Sequence, residues 1–557
     1  MTKLTIDGRA IEVEQGTRII EAARQHGIYI PRYCYHPGLS IAGNCRMCLV
    51  EVEKAPKLMI ACQTVCNDGM VVHTKSEKTK TAQAAILEFL LINHPLDCPV
   101  CDQAGECDLQ NFYLDFGRYT PTFAEPKVKK RKAYPIGAHV ILDSERCVLC
   151  SRCVRFCEEI TQTHELGIFD RGDHAELMLA PGKTLDNNYS ANTIDICPVG
   201  ALTDRQFRFQ VRVWYLRAFR SVCPGCSRGC NIDIHTNPNR PHHADGQRLV
   251  RIKPRFNPEV NRWWMCDYGR YSQGWVDAAE RLALPLRAQG GAQQPCEWSE
   301  AIAAAAELLR GAAGQIGVIA SAKESNEDLF LAGKLLREHL GAKGATVGGF
   351  DPQAPHDQLL LQADKAPNRA GAVALGWDAS AGAERKLLER AARGEIKLLY
   401  VVGRDLAAEL GKEPVDVALS KAALIYQGPL ANPTSARAQV VLPSAAFAER
   451  DGSFTNSAKR AQLFLEAFPP LGEAKADWEI FQLLAKELGE SWDYRSAQEV
   501  FVELAKTAPE FAGMTHEILG QHGALLASAR GGAALPEPDP SALDRSGKIP
   551  TAPWGSR

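Results

Sequence analysis

Two patterns of apolar and polar positions divide the chain. Up to about residue 280, apolar runs are short, and loops rich in cysteine and glycine separate them. The Asp7-Gly8 dipeptide lies between two such runs and predicts a hairpin turn, and Thr17 is predicted to cap a helix that Gly27 ends. Residues 1–78 are predicted to form a small α/β unit with the strands Leu4–Ile6, Ile11–Val13, Leu49–Val52 and Lys57–Cys62 and a helix from Thr17 to about Gln25. Residues 79–118 are predicted to begin with a helix, Thr81–Leu91.

The second pattern begins near residue 295. The composition shifts to Ala, Leu and Gly, and short apolar runs alternate with segments of helical period. Because helices join the strands of parallel sheets, this alternation predicts a doubly wound α/β domain. Its predicted strands are Ile316–Ile319, Ala372–Leu375, Leu398–Val402, Ala423–Tyr426 and Val440–Leu442, and its predicted helices include Glu327–Leu340 and Ala383–Arg393. From about Ala527 the sequence is rich in Gly, Ala, Pro and Ser, which predicts an extended or disordered tail.

Composition and charge exclude several classes of function. The 557 residues carry 64 Lys and Arg against 66 Asp and Glu, for a net charge of −2, whereas nucleic-acid-binding proteins are usually strongly basic. The longest candidate segment, residues 84–92, is much shorter than the roughly 20 apolar residues that span a bilayer, so no membrane span is predicted. The N-terminus alternates and carries charge, which indicates neither a signal peptide nor a twin-arginine leader.

Cysteine is the most informative residue type. Of the 18 cysteines, 17 precede residue 270, and none follows Cys296. A long chain without an export signal does not fit a disulfide scaffold, so clustered cysteines indicate metal or catalytic sites. Fifteen of them and one histidine form four groups. Cys66 is interpreted as a free thiol and Cys157 as a non-ligand, and Cys296 is left over.

The first group combines a loop of cysteines with one cysteine on a later strand, which is the arrangement of plant-type 2Fe–2S sites. Its members, separated by ten, two and thirteen residues, are Cys34, Cys45, Cys48 and Cys62. The spacing is longer than in the common plant pattern. Buried thiols or a zinc ribbon are the alternatives, and a 2Fe–2S cluster on a β-grasp-like unit is the prediction.

The second group holds one histidine and three cysteines, namely His94, Cys98, Cys101 and Cys107. This ligand set can hold zinc, and it can also supply the four corners of a 4Fe–4S cluster. The spacing alone leaves both possibilities open.

The third and fourth groups have the spacing of 4Fe–4S sites. A C-x2-C-x2-C run with a remote Cys-Pro is typical of bacterial ferredoxins, and it comprises Cys147, Cys150, Cys153 and Cys197. A C-x2-C-x3-C run with a distant fourth cysteine comprises Cys223, Cys226, Cys230 and Cys266. Zinc is the alternative for this fourth group.

The segments that carry these ligands resemble the large iron–sulfur subunit of respiratory complex I, known as the G subunit in bacterial NADH-quinone oxidoreductases. The resemblance covers residues 1–280 and lies in CYHPGLSIAGNCRMC from Cys34, HPLDCPVCDQAGEC from His94, and CVLCSRC from Cys147 with CPVG at Cys197. It implies a 4Fe–4S cluster rather than zinc at the His94 group. The Cys223 group is similar to the extra cluster that some bacterial members keep off the electron path.

Residues from about 295 are similar to molybdopterin oxidoreductases, although the region is much shorter than a catalytic pterin domain. The resemblance thus implies a multidomain α/β protein. Its expected domains are a β-grasp 2Fe–2S ferredoxin-like domain (1–78), a 4Fe–4S domain with one His and three Cys ligands (79–118), a 4Fe–4S ferredoxin-like domain (139–215), a 4Fe–4S domain of the Mo/W-bis-MGD type (216–280), a truncated, vestigial molybdopterin-oxidoreductase-like α/β domain (281–526) and a tail (527–557).

The function implied by the resemblance is electron transfer within the proton-pumping NADH:quinone oxidoreductase. Electrons would come from the flavin subunit, pass through the Cys34, Cys147 and His94 clusters, and leave toward quinone. The expected cofactors are one 2Fe–2S and three 4Fe–4S clusters, with no molybdopterin, FMN or NAD and no catalytic residue in this chain. The expected partners are the flavin- and NADH-binding subunit and the quinone-proximal iron–sulfur subunits, on the cytoplasmic side of the bacterial inner membrane.

Two enzymes share several of these groups and are the alternatives. An iron hydrogenase needs further cysteines in its C-terminal half, and a molybdenum-dependent formate dehydrogenase-like oxidoreductase usually needs a Cys or selenocysteine metal ligand in its pterin domain. No cysteine follows Cys296. Tyr268 also stands where relatives that exchange electrons with a pterin tend to have lysine.

Overall fold

The computed structural model describes residues 1–530, and these residues form two compact units. Residues 1–216 with 243–245 make the first unit, and residues 217–242 with 246–530 make the second. The predicted tail from residue 527 lies almost wholly outside the described residues. Among residues 1–530, no helix combines the length and the apolar character needed to cross a membrane.

The first unit begins with a five-stranded mixed sheet. In spatial order its strands are Arg9–Val13, Thr2–Ile6, Met70–His73, Leu49–Val52 and Met59–Ile60. Asp7 and Gly8 have φ angles of 47° and 79°, the left-handed conformation that two-residue hairpin turns require, so the predicted hairpin is confirmed. The strand predicted over Lys57–Cys62 is reduced to its central two residues.

The prediction that Thr17 caps the first helix is wrong. The helix spans Ile19–Gln25, and no side chain caps its N-terminus. The Ile19 amide instead donates to the Thr64 carbonyl, and the Ile20 amide donates to the Ala61 carbonyl. The backbone of a neighbouring loop thus accepts the hydrogen bonds that a capping side chain usually accepts.

The other regular elements of the first unit are short and lie between cysteine-bearing loops. The helix predicted from Thr81 begins at Glu77, because the Ser76 hydroxyl accepts a hydrogen bond from the Thr79 amide at 3.3 Å and caps it. The helices are Glu77–Leu91, Asp108–Phe116, Arg152–Glu159 and Asn192–Asp195; the strands are Tyr134–Pro135, Val140–Leu142, Leu166–Phe169, Glu176–Leu179 and Leu202–Asp204; and the 3-10 turns are Cys98–Val100, Ser144–Arg146, Gly172–His174 and Val213–Tyr215.

The second unit is built around a seven-stranded sheet. In spatial order the strands are Ala292–Pro295, Leu286–Gln289, Val440–Pro443, Ala423–Gly428, Leu398–Val402, Ile316–Ser321 and Gly344–Gly348. The last five of these strands are parallel. Along Leu398–Val402, alternate side chains enter two different buried apolar clusters, so both faces of the sheet are covered, as parallel sheets require.

Helices and two smaller sheets complete the second unit. The helices are Asp267–Tyr271, Trp298–Gly311, Asn326–Ala332, Arg369–Ala374, Ala383–Ala392, Leu406–Leu410, Lys412–Leu419, Asp477–Glu487, Ala497–Thr507 and His516–Leu519, with a π-helical turn at Gly333–His339. The 3-10 turns include Gly274–Asp277, Ser435–Arg437, Pro509–Phe511 and Ala527–Ala529. One of the smaller sheets contains the strands Arg217–Val222, Asn231–Thr236 and Leu249–Pro254. The other contains Gly452–Thr455, Arg460–Phe464 and Ala524–Leu525.

One predicted strand of the parallel sheet is wrong and one strand was missed. The apolar run Ala372–Leu375 covers the end of helix Arg369–Ala374 and the residue after it. A run of four apolar residues is too short for its periodicity to distinguish a helix from a strand. The missed strand, Gly344–Gly348, lies at the sheet edge and has two glycines in five residues. Its sequence therefore lacks the continuous apolar run that identifies the central strands.

A buried guanidinium holds three acidic side chains together beside the parallel sheet. Arg450 pairs with Asp328, with Glu324 at 2.9 Å and with Asp477 at 3.5 Å, and all four residues are buried. Burial raises the pKa of Asp477 to about 6 and raises that of Glu324 well above its usual value. The positive charge of Arg450 is therefore what allows these carboxyl groups to be buried so close together.

Arg450→Met is expected to destabilise the second unit by about 3–5 kcal/mol, because the buried carboxylates lose their counterion. The loss should grow as the pH rises. A carboxyl whose pKa is raised in the folded state favours folding while it is protonated, and this contribution disappears as the pH passes through the folded pKa, which is about 6 for Asp477 in the parent chain.

Scanning calorimetry of the full chain at about pH 5 and pH 7.5 measures this effect. Arg437→Met is the control, since the Arg437–Asp416 pair is partly exposed on both sides and such pairs contribute at most about 1 kcal/mol. Equal destabilisation by the two substitutions would contradict the role given to Arg450.

Candidate metal centres

The structure brings the members of each predicted ligand group together, three groups in the first unit and one in the second. In the Cys34 group, the Cys34 amide lies 3.4 Å from the Cys45 sulfur. The thiols of Cys34 and Cys45 share a hydrogen bond, which lowers the pKa of Cys34 to about 5, and a hydrogen bond from Cys62 likewise lowers the pKa of Cys48. Charge on the other three sulfurs contributes to raising the pKa of Cys62, which places the four sulfurs in one small volume.

Local backbone geometry explains how these four cysteines meet. Cys48 immediately precedes strand Leu49–Val52, and Cys62 follows strand Met59–Ile60, the antiparallel neighbour of that strand. The Ala61 amide donates to the Cys48 carbonyl at 3.0 Å. Strand pairing therefore fixes two ligands, and the loop that contains Cys34 and Cys45 brings the other two.

The His94 group lines a single cavity. His94, Cys98, Cys101 and Cys107 all contribute to its wall. Burial, together with the nearby charge of Arg146, lowers the pKa of His94 to about 4, so the imidazole is neutral at neutral pH, as a metal-ligating histidine must be. Cys98 is exposed, whereas Cys107 is buried at the start of helix Asp108–Phe116.

Gly200 leaves room for this group. A Cβ atom at position 200 would lie 2.4 Å from the Cys101 sulfur and 3.0 Å from the Gln103 side chain. Its φ angle is not in the left-handed region, so steric space is the reason that glycine is needed here. Glycine at position 200 therefore lets the Cys101 sulfur lie directly against the segment that follows Cys197.

The Cys147 group lines a cavity whose remaining walls are largely apolar. Cys147, Cys150, Cys153 and Cys197 share it with side chains that include Val148, Leu149, Ile168, Leu177, Val199 and Leu202. Leu149 and Ser151 have φ angles of 50° and 61°, which coil the loop so that its sulfurs converge. The Leu149 amide points at the Cys147 sulfur at 3.4 Å, a contact that tunes thiolate-ligated clusters.

Two buried arginines on helix Arg152–Glu159 tie the Cys34 group to the Cys147 group. Arg155 donates to the Cys34 carbonyl at 2.5 Å and to the Cys150 carbonyl at 3.4 Å. Arg152 donates to the Tyr35 carbonyl at 2.8 Å and to the Ile196 carbonyl, next to Cys197, at 3.0 Å. These side chains place two positive charges between two sets of thiolates.

The Cys147 and His94 groups are joined through the chain itself. Cys197 belongs to one cavity, and Gly200, three residues later, lies against Cys101 of the other. The Asp108 amide, next to Cys107, donates to the Pro198 carbonyl at 2.9 Å. Segment 197–200 therefore contacts both groups.

The fourth group lies in the second unit, and all of its cysteines are buried. Cys223, Cys226 and Cys230 occupy the turn between strands Arg217–Val222 and Asn231–Thr236. Cys266 joins them despite the long gap in sequence. Both its sulfur and that of Cys223 lie close to Gly269, where a Cβ would be 3.5 Å from the Cys266 sulfur and 2.8 Å from the Cys223 sulfur.

Tyr268 stands beside this group, and the Lys365 ammonium lies 5.0 Å from the centre of its ring. Lys365 therefore places a positive charge near Cys226, although it comes from a different part of the chain.

The three remaining cysteines do not line the cavities of the His94 and Cys147 groups. Burial raises the pKa of Cys66 to about 11. Cys157 is buried and hydrogen-bonded to Glu165, and Cys296 is half-buried, with its sulfur 3.8 Å from the Pro285 carbonyl. The described residues also contain one carboxylate cluster with metal-like spacing, Glu324, Asp328 and Asp477, but the guanidinium of Arg450 already pairs with all three.

Gly200→Ala and Gly269→Ala are each expected to remove one cluster and to leave the others. The added methyl group would collide with the Cys101 sulfur in the first variant and with the Cys223 sulfur in the second. Because the displaced sulfur could no longer act as a ligand, each purified protein should lose about four irons per chain. Iron analysis combined with electron paramagnetic resonance checks both.

Gly311→Ala is the matched control, because nothing lies within 4 Å of the added Cβ and its φ angle is ordinary. An unchanged iron content in the Gly200 variant would contradict a cluster at the His94 set, and an unchanged iron content in the Gly269 variant would contradict a cluster at the Cys223 set.

Comparisons with known proteins agree with this arrangement. Residues 1–77 match a 2Fe-2S iron-sulfur cluster binding domain, 83–121 the NADH-ubiquinone oxidoreductase-G iron-sulfur binding region, and 137–203 the ferredoxin-like domain of NADH-quinone oxidoreductase subunit 3. Residues 216–277 match the molybdopterin oxidoreductase Fe4S4 domain, and 366–487 match molybdopterin oxidoreductase. The expected fold class is thereby confirmed.

Relatives match nearly the whole chain. The G subunit of NADH-quinone oxidoreductase from Rickettsia felis is 32% identical, with 92% of each chain covered. The mitochondrial 78 kDa subunit of NADH-ubiquinone oxidoreductase of Candida albicans is 30% identical over 93% of this chain and 86% of its own. A solved chain of an NAD+-reducing [NiFe]-hydrogenase is 30% identical over 38% of this chain and 90% of its own, with a TM-score of 0.35. With relatives of this identity along almost its entire length, the chain belongs to the family of NADH-quinone oxidoreductase G subunits.

Proposed function

We propose that this chain is the electron-transfer subunit of a proton-pumping NADH:quinone oxidoreductase, carrying electrons from the flavin subunit toward quinone. The observation that carries the proposal is the convergence of sixteen predicted ligands, distant in sequence, into four compact sets. Because most members of these sets are buried in apolar or arginine-lined surroundings, the sets themselves are suited to hold redox groups.

The proposed cofactors are one 2Fe–2S and three 4Fe–4S clusters. The smaller cluster is assigned to the Cys34 set, and one 4Fe–4S cluster is assigned to each of the His94, Cys147 and Cys223 sets. When bound, such clusters accept and release single electrons at potentials set by ligand charge, hydrogen bonds and burial. Neutral His94 supplies no negative charge, so the ligands of its set carry three negative charges, whereas a set of four thiolates carries four.

The residues around the ligands protect and tune the sites. Apolar side chains line most of the Cys147 cavity, and backbone amides at Leu149, Gly225 and Gly269 point at sulfur within 3.4 Å. Arg152 and Arg155 offset the negative charge between the two neighbouring sets. These features hold the ligands in one geometry in both redox states, which limits the rearrangement that each electron transfer needs.

The contacts between sets support the order Cys34, Cys147, His94 along the path. Arg155 links the first two sets, and segment 197–200 links the last two. The His94 set is also near the surface, since Cys98 is exposed, and Leu96 and Val100 beside it are exposed apolar residues at 87% and 62%. Neighbouring exposed apolar side chains are typical of protein interfaces, so a quinone-proximal subunit is proposed to dock here.

The domain boundaries, the second partner and the location complete the proposal. The proposed domain ranges are 1–78, 79–118, 139–215, 216–280, 281–526 and a tail from residue 527. The flavin- and NADH-binding subunit is proposed to deliver electrons, and the whole arm is placed on the cytoplasmic side of the inner membrane. The family relationship does not favour the molybdenum-dependent alternative.

Metal analysis of the anaerobically purified chain tests the cofactor assignment. Four filled sites of the assigned types predict about 14 irons per chain and no molybdenum or tungsten. About 10 irons would mean that one 4Fe–4S assignment is wrong, and stoichiometric molybdenum would overturn the proposal in favour of an enzyme with its own substrate.

Substitution of single ligands tests the path. Cys150→Ala should abolish NADH-to-quinone electron transfer in the assembled complex, because the Cys147 set lies between the other two sets of the first unit. Cys226→Ala should lower stability or assembly more than the turnover of the complex that does assemble. Cys296→Ala, outside every set, is the control for loss of a cysteine.

Two results would count against this scheme. Full turnover in an assembled Cys150 variant would remove the Cys147 set from the path. Loss of turnover in a correctly assembled Cys226 variant would put the fourth set on it.

A further inference from the structure

The parallel sheet of the second unit has an open cavity at the carboxyl ends of three adjacent strands. It follows Ile316–Ser321, Gly344–Gly348 and Leu398–Val402, and its volume is about 420 Å³. The chain runs from the first of these strands to a neighbour on one side and then to a neighbour on the other, so the strand order reverses here. In open α/β sheets, this reversal point is where ligands bind.

One buried side chain directs an unused donor into the cavity. Arg404 follows the strand Leu398–Val402, is only 5% exposed, and pairs through Nε and Nη2 with Glu409. Its Nη1 atom has no hydrogen-bond partner among residues 1–530. An unsatisfied buried guanidinium nitrogen is costly, and it lines a cavity that an anionic oxygen can enter.

Glycines at the strand ends keep this donor accessible. A Cβ at Gly348 would lie 2.4 Å from Arg404 Nη1 and 2.8 Å from the Glu384 carboxyl carbon. Gly349 and Gly403 have φ angles of 78° and 65°, which side chains rarely adopt. From sequence alone, Gly403 resembles an ordinary tight turn, and only the structure shows that it borders a cavity.

The other walls of the cavity carry chemistry that a simple anion would not use. Lys323 adds a second cation, and Asp351 and Glu384 add carboxylates. Phe350 adds an aromatic ring that is 50% exposed. Cations suit phosphate, carboxylates accept hydrogen bonds from sugar hydroxyls, and an exposed ring offers a stacking surface for a base.

We propose that this cavity binds a nucleotide, with its phosphate group on Arg404 and Lys323 and its nucleoside against Phe350 and Glu384. The cavity is far larger than a phosphate ion, and its cationic and acidic side chains are present in equal number, three of each. A free anion would therefore gain little from most of the wall. A nucleotide combines the charge, the hydroxyl groups and the flat ring that the wall is able to contact.

The proposal is tested by calorimetric titration of the full-length, cluster-loaded chain with ADP, pyrophosphate and adenosine. ADP is expected to bind one site per chain, at least about tenfold more tightly than either fragment. Lys323→Gln and Arg404→Gln should each weaken ADP binding about tenfold or more, because each removes a charged hydrogen bond. Phe350→Ser should weaken ADP binding and leave pyrophosphate binding unchanged.

Lys421→Gln is the matched control, because this exposed lysine lies at the opposite, amino end of the parallel strands and should not affect binding. Lys323 is exposed, so its variant keeps the test valid even if loss of Arg404 impairs folding. The proposal is overturned if ADP does not bind at about 1 mM, if pyrophosphate binds as tightly as ADP, or if the Lys323 variant binds ADP like the parent chain.

Discussion

The first unit depends on two arginine side chains that are buried between ligand loops. Arg152 and Arg155 are at most 8% exposed. Their guanidinium groups donate hydrogen bonds to backbone carbonyls of the Cys34 loop and of the Cys147 and Cys197 segments. Removing guanidinium groups from water is unfavourable unless their donors are satisfied. The loops must therefore keep the positions in which their carbonyls meet these donors, and this requirement fixes the ligands that the loops carry.

The second unit also contains a buried arginine, but its guanidinium pairs with acidic side chains instead of backbone carbonyls. There, one guanidinium satisfies three buried carboxyl groups that come from separate elements, and the two faces of the parallel sheet supply the apolar burial around them. In both units, a planar cation with several donors connects segments that are far apart in sequence. Arginine suits this task better than lysine because its donors are fixed in direction.

The sequence allowed the ligand groups and the central strands to be predicted, because both leave local signals. Cysteine spacing within a loop and continuous apolar runs depend on a few neighbouring residues. The features that were missed depend on partners elsewhere in the chain. Thr17 does not cap its helix because the loop around Thr64 provides the acceptors, and Gly344–Gly348 is a strand because Ile316–Ser321 pairs with it. The cavity at the strand ends also has no local signal in the sequence, because residues 323, 350 and 404, which line it, are far apart along the chain.

Segment 197–200 has a consequence for how the first unit responds to motion. Three peptide units connect Cys197 to Gly200, so their Cα atoms cannot separate by more than about 11 Å. A distance set only by contact between folded elements has no such upper limit. Covalent bonds therefore restrict how far the segments that carry the Cys147 and His94 sets can move apart.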